Sequence, residues 1–95
     1  MTDQLSESAP LTAEGIEQGL LRHLEGKLGT SITADHDLFA SGLVSSMFAM
    51  ELVVHLEGTY AVAIVGPDLK LDNFRTVQRM TSLVLGLRDA SAGDV

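Results

Sequence analysis

The sequence predicts an all-α fold: a small four-helix bundle with three longer helices, one short third helix and a long first loop. Three observations carry that prediction. Hydrophobic residues make up 45% of the chain but aromatics only 4%, so the core must be built from Leu, Val, Ile, Met and Ala. Such a core suits helices better than a sandwich or barrel. Apolar residues recur at helical spacing near both ends of the chain. Between them, residues 47–56 are apolar except for Glu51 and His55. At 95 residues the chain makes one domain, one that buries only about 60% of its unfolded surface and is modestly stable.

Residues 1–10 are polar and small and are expected to be a disordered lead-in, with the folded domain over 11–89 and a flexible tail over 90–95. Thr12 is a suitable N-cap, with Glu14 in the favourable first turn. Ile16, Leu20, Leu21, Leu24 and Leu28 then form one face of a helix reaching about Lys27. Gly15, Gly19 and Gly26 each weaken it by about 1 kcal/mol against Ala, and Gly19 leaves room for a neighbouring helix. Gly29 suits the C-cap.

The first loop, 30–44, is long for a compact domain, so Ile32, Leu38, Phe39 and Leu43 are expected to pin it to the core. Ser45 is a good N-cap type, and Ser46 follows in the first turn with its hydroxyl free to face outward. A negative group on Ser46 would lie at the positive end of the helix. The helix over 46–58 is apolar on most sides. Met47 and Met50 are either core residues or an adaptable exposed surface beside Glu51, and the spacing leaves both open.

Residues 58–65 read as an extended loop with Tyr60, Val62 and Ile64 inward, because a lone strand has no sheet to join. Gly66-Pro67-Asp68 is a turn, and Pro67 suits the first position of a short helix over 67–71. Thr76 caps the last helix, whose inner face is Val77, Met80, Leu83, Val84 and Leu87.

Charge narrows the partners. The net charge of −7 argues against nucleic acid and anionic membrane, and no apolar run approaches membrane-spanning length. A cytoplasmic monomer is expected. No Lys or Arg lies between Lys27 and Lys70, while Asp35, Asp37, Glu51, Glu57 and Asp68 do. That interval is either an ordinary solvated face or an acidic rim that steers basic partner surfaces toward Ser46. Without cysteine there is neither a disulfide nor a thiolate metal site. Asp35 and Asp37 supply too few oxygens for a calcium loop, and no His-Glu-x-x-His run suggests zinc. The serines lack a Gly-x-Ser-x-Gly elbow, and the spacing of His23, His36 and His55 fixes no shared site. Independent catalysis is not expected.

Gly42-Leu43-Val44-Ser45-Ser46-Met47, followed by Glu51-Leu52-Val53-Val54-His55-Leu56-Glu57, resembles the acyl carrier protein family. That family opens a helix with Gly-x-Asp-Ser-Leu, its serine carrying 4′-phosphopantetheine. Phe74-Arg75-Thr76-Val77-Gln78 resembles the entry to the family's last helix. The resemblance covers about residues 12–88. It implies a covalent arm on Ser46, with Ser45 standing where the family has Asp and Met47 as the apolar follower. Asp35, Asp37, Ser45, Met47, Met50 and Glu51 are then candidates for partner recognition. The implied partners are a phosphopantetheinyl transferase, acyl-loading and acyl-modifying enzymes, and an acyltransferase or ketosynthase of a polyketide synthase. Gly-Leu-Val-Ser-Ser-Met-Phe-Ala-Met is similar to stand-alone carriers of glyceryl-derived hydroxymalonyl or methoxymalonyl extender units. A generic fatty-acyl or aminoacyl carrier, and an unmodified acidic helical adapter, are the alternatives.

Overall fold

The computed structural model describes residues 12–93. They form α1 (Ala13–Leu28), α2 (Ser46–Tyr60), two 3₁₀ turns (Gly66–Asp68 and Leu71–Phe74) and α3 (Val77–Gly93). The expected lead-in falls outside the described residues. The expected tail falls there only for residues 94 and 95, because the backbone of α3 stays helical to Gly93.

The helix starts follow local chemistry. Thr12 Oγ1 accepts from the Gly15 amide at 3.0 Å, Ser45 Oγ from Phe48 at 3.2 Å and Thr76 Oγ1 from Arg79 at 3.1 Å. Each satisfies one amide that the helix leaves unpaired. α1 stops at Gly29, which takes the left-handed conformation at φ 71° and donates back to the Glu25 carbonyl; a side chain there would be strained.

α2 runs two residues past the expected 58. Gly58 breaks nothing there, and Tyr60 is buried against α1. The helix ends where Ala61 turns left-handed at φ 56°, and Arg88 Nη1 of α3 donates to the Tyr60 carbonyl at 2.9 Å. An ideal Cβ on Gly19 would lie 3.2 Å from the Tyr60 hydroxyl, so the small residue does permit a close approach. With His23 opposite His55 in the same seam, α1 and α2 run antiparallel.

The core is mostly aliphatic, as expected, but it also takes in Phe74 and Tyr60, two of the chain's few aromatics. Ile16, Leu20 and Leu24 of α1 meet Leu52, Val53 and Leu56 of α2 and Val77, Met80 and Val84 of α3. Ile32 and Leu38 pin the first loop, with Phe39 partly buried beside them. Leu43 is a correction: it is exposed, and Val44 is the buried residue. Gly42 at φ 81° reverses the chain, and the Val44 amide then bonds the Leu38 carbonyl at 3.0 Å, drawing Val44 inward.

The short third helix differs in form. In place of one helix over 67–71, two 3₁₀ turns form, separated by Leu69 at φ −88°, ψ 73° and by the extended Lys70. A 3₁₀ bond closes in fewer residues than an α-helical one. The two turns are tied together by Asn73 Nδ2, which donates to the Asp68 carbonyl at 2.8 Å. The extended connection expected over 58–65 is shorter than that: Ile64 is buried and Val62 partly so, as expected, but Tyr60 is buried from the last turn of α2.

Leu56→Ala, at a fully buried position, should lower unfolding free energy by about 3 kcal/mol. Val54→Ala, one turn face away and 68% exposed, should change it by less than about 0.5 kcal/mol. Urea unfolding followed by circular dichroism checks both.

Candidate functional site

The segment 37–46 is built around one carboxylate. Asp37 Oδ1 accepts from the amides of Phe39 (3.1 Å) and Ala40 (2.9 Å), an Asx-type turn. Arg75 Nη1 approaches Asp37 Oδ2 at 3.2 Å, while Arg75 Nε donates to Asp72 at 3.1 Å. The Arg75 guanidinium also lies 5.9 Å from the Phe39 ring centroid. Backbone bonds run in parallel: the Leu38 amide to the Arg75 carbonyl (2.9 Å) and the Gln78 amide to the Ala34 carbonyl (3.0 Å). The loop is therefore latched to the entry of α3. The Ala40 amide, and after it Arg75, hold the Asp37 carboxyl below its ordinary value despite some opposing desolvation.

The latch ends at Val44, and Ser45 starts α2. Its side chain is engaged by Phe48 and its carbonyl accepts from Ala49 at 3.0 Å. Ser46 is exposed, and its hydroxyl has no hydrogen-bond partner among the described residues. Its amide and that of Met47 sit at the helix start, where no intrahelical acceptor exists. A phosphoester fits that position: an accessible hydroxyl, unpaired donors beside it and the positive end of a helix.

Beyond Ser46, α2 shows an apolar stripe. Met47 is 82% exposed, Met50 57% and Val54 68%, at helical spacing on one face. Of the two open readings of the methionines, the exposed one is the structure. Met50 and Val53 face Leu69, Leu71 and Phe74 across a shallow apolar groove, and Lys70 is the one charged residue in its lining. Glu51 is exposed beside the stripe.

The acidic interval is less uniform than its sequence suggests. Asp35 is exposed and accepts from Thr33 Oγ1 at 2.8 Å, and Glu57 accepts from the Ile64 amide at 2.8 Å. With Asp37 latched to Arg75 and Glu57 turned to the Ile64 amide, Glu51 is the exposed carboxylate of α2. The structure thus groups Ser45, Ser46, Met47, Met50 and Glu51 along one helix and places Asp37 in the loop's internal bonding. Arg75, Val54, Leu69, Leu71 and Lys70 were not legible as site residues. Arg75 in particular meets Asp37 across 38 positions, for which no local pattern exists. Among the described residues no three His, Asp or Glu side chains cluster as a metal site, and no helix is long and apolar enough to cross a membrane.

Fold and site together define a small helical module that presents one serine at a helix start. The family model for the phosphopantetheine attachment site matches residues 18–84, well over half of the chain. The protein belongs to that family and is a carrier of covalently bound 4′-phosphopantetheine. No curated protein and no solved structure matches it.

Ser45→Ala should cost about 1 kcal/mol of stability through the lost cap. Asp37→Asn should be destabilised at neutral pH, with the gap closing in acid. The carboxyl's folded value is lowered, so its contribution is present above the unfolded value and disappears as pH falls through the folded one. Urea midpoints of wild type and variant at neutral pH and near pH about 3 measure that closure.

Proposed function

We propose that Ser46 carries the phosphopantetheine arm and that the chain delivers an acyl unit, held as a thioester on that arm, to biosynthetic enzymes. The exposed hydroxyl of Ser46 at the start of α2, without a hydrogen-bond partner among the described residues, carries this reading. Ser45 is the other serine in reach, but its oxygen caps the helix. A phosphopantetheinyl transferase would supply the arm from coenzyme A, and the arm supplies the thiol that this cysteine-free chain lacks. The chain itself provides no catalytic group. It presents the hydroxyl, keeps the helix start rigid and offers a surface for docking, so that a tethered cargo meets its enzymes at an effective concentration of order mM.

The docking surface is Met47 and Met50, with Val54 continuing the stripe and Glu51 and Ser45 at its polar margin; Asp35, exposed on the first loop, is a further recognition residue. Asp37 acts on recognition indirectly, by fixing the loop. Because the exposed stripe is apolar and several carboxylates are engaged internally, partner affinity depends on contact more than on charge. The partners are the transferase, acyl-loading and acyl-modifying enzymes, and an acyltransferase or ketosynthase of a polyketide synthase, all in the cytoplasm.

For the cargo, we favour a glyceryl-derived hydroxymalonyl or methoxymalonyl extender unit over a fatty-acyl or aminoacyl group. The sequence likeness around Ser46 supports this. So does Lys70, which borders an otherwise apolar groove beside α2 and whose ammonium would suit an acyl unit with a free carboxylate.

Incubation with coenzyme A, magnesium and a broad-specificity transferase should add one arm's mass, mapped by peptide analysis to Ser46. Ser46→Ala should abolish the addition and leave folding intact, while Ser45→Ala should still be modified. A folded wild type that gains no mass with several transferases would leave the unmodified adapter as the reading. The Met47→Ala/Met50→Ala double variant should raise the transferase's KM about tenfold, which is about 1.4 kcal/mol, with kcat retained.

A further inference from the structure

His23 of α1 and His55 of α2 are far apart in sequence and belong to none of the chemistry above. In the structure their rings stack face to face, with centroids 3.6 Å apart and planes 9° from parallel. Each is partly buried in the α1–α2 seam. Near-parallel rings send their nitrogen lone pairs in parallel directions, so the pair does not converge on a metal ion. It suits two neutral imidazoles in dispersion contact.

The surroundings give an imidazolium little support. Lys27 lies one turn along α1 from His23 and acts on both rings. On α2 the carboxylate one turn before His55 is Glu51, level with Lys27 in the antiparallel register, and no carboxylate forms an ion pair with either ring among the described residues. Glu25 and Glu57 turn their carboxylates to the amides of Ile32 and Ile64. From α3, the charged group facing this end of α2 is Arg88, which donates to the Tyr60 carbonyl beyond His55. Thr59 Oγ1 lies 3.4 Å from His55 Nδ1; its hydroxyl can donate to a neutral nitrogen or accept from a protonated one, so it opposes neither state.

We propose that the His23–His55 stack is an acid-released clasp between α1 and α2, closed while both rings are neutral and opened as they take up protons. Two protons would place like charges face to face beside Lys27. Burial acts in the same direction, holding both rings below the ordinary 6.5, with Lys27 adding to it. A folded value below the unfolded one means that the clasp's contribution is complete above about pH 6.5 and is lost as pH falls through the folded values. His55 lies nine residues after Ser46, about 14 Å along the helix. Acid would therefore loosen the bundle from the end opposite the attachment serine, whose loop is held separately by Asp37 and Arg75. The proposal rests on this seam alone and is independent of what Ser46 carries.

Side-chain NMR titration of the folded wild type should give both imidazoles midpoints below 6.5, and His23→Gln should move the His55 midpoint upward. Between about pH 7.5 and about pH 5.5, the wild-type urea midpoint should fall by more than that of His23→Gln/His55→Gln. Equal pH dependence in the two proteins, or either ring titrating at or above 6.5 in the wild type, would overturn the clasp. Should the double variant fail to fold, the wild-type titration alone decides.

Discussion

Helix α2 is under two demands that pull against each other, and the rest of the structure is arranged around them. It supplies the centre of the core, with Leu52 and Leu56 fully buried. It must also begin in the open, with Ser46 exposed and Met47 almost wholly in solvent. In a chain this short there is too little protein to cover an apolar helix on every side. The resolution is along the helix as well as around it: burial strengthens from Ala49 onward, and the first turn is left bare. A bare first turn is only useful if it does not fray, which puts the burden on what precedes it.

That burden falls on the loop. A half-exposed Arg–Asp pair contributes little by itself in water, and Asp37 and Arg75 are both more than a third exposed. Their effect comes from combination. The same carboxylate fixes two loop amides, and the same arginine residue accepts the Leu38 amide through its carbonyl. Asp72 holds the guanidinium from the other side. Breaking the ion pair therefore leaves several weaker bonds to hold segment 38–44, and the position of Ser45 depends on their sum. This is why a residue at the entry to α3 bears on a serine at the entry to α2.

What could be read from the sequence divides along the range of the interaction. Thr12, Ser45, Thr76 and Gly29 were legible as caps because capping is decided within four residues. The apolar faces of α1 and α3 were legible for the same reason: periodicity is local. Leu43 was misassigned for Val44 because a single left-handed glycine shifts which neighbour faces inward, and hydrophobicity cannot distinguish two adjacent apolar residues. The two 3₁₀ turns were misread as one helix because Pro67 signals a helix start without fixing its pitch. Asp37 read as a free acid, since nothing near it in sequence announces Arg75. The histidine stack was invisible for the same reason.

These long-range pairings also change what the charge of the molecule means. A net charge of −7 invites a picture of recognition by attraction at a distance, as if each carboxylate in the stretch without Lys or Arg faced a partner. Three of the carboxylates in the chain's middle and first helix do something else: Asp37 binds a loop turn and Arg75, Glu57 caps the Ile64 amide, and Glu25 holds Ile32. What remains beside Ser46 is chiefly apolar. Long-range charge still biases the approach of basic surfaces, and on the proposed docking surface the contact itself falls to methionine and valine. Flexible Met side chains adapt to differently shaped apolar pockets at little cost in strain. A carrier that must satisfy a succession of enzymes is served by that adaptability, and a rigidly latched loop behind it keeps the serine in one place while the partners change.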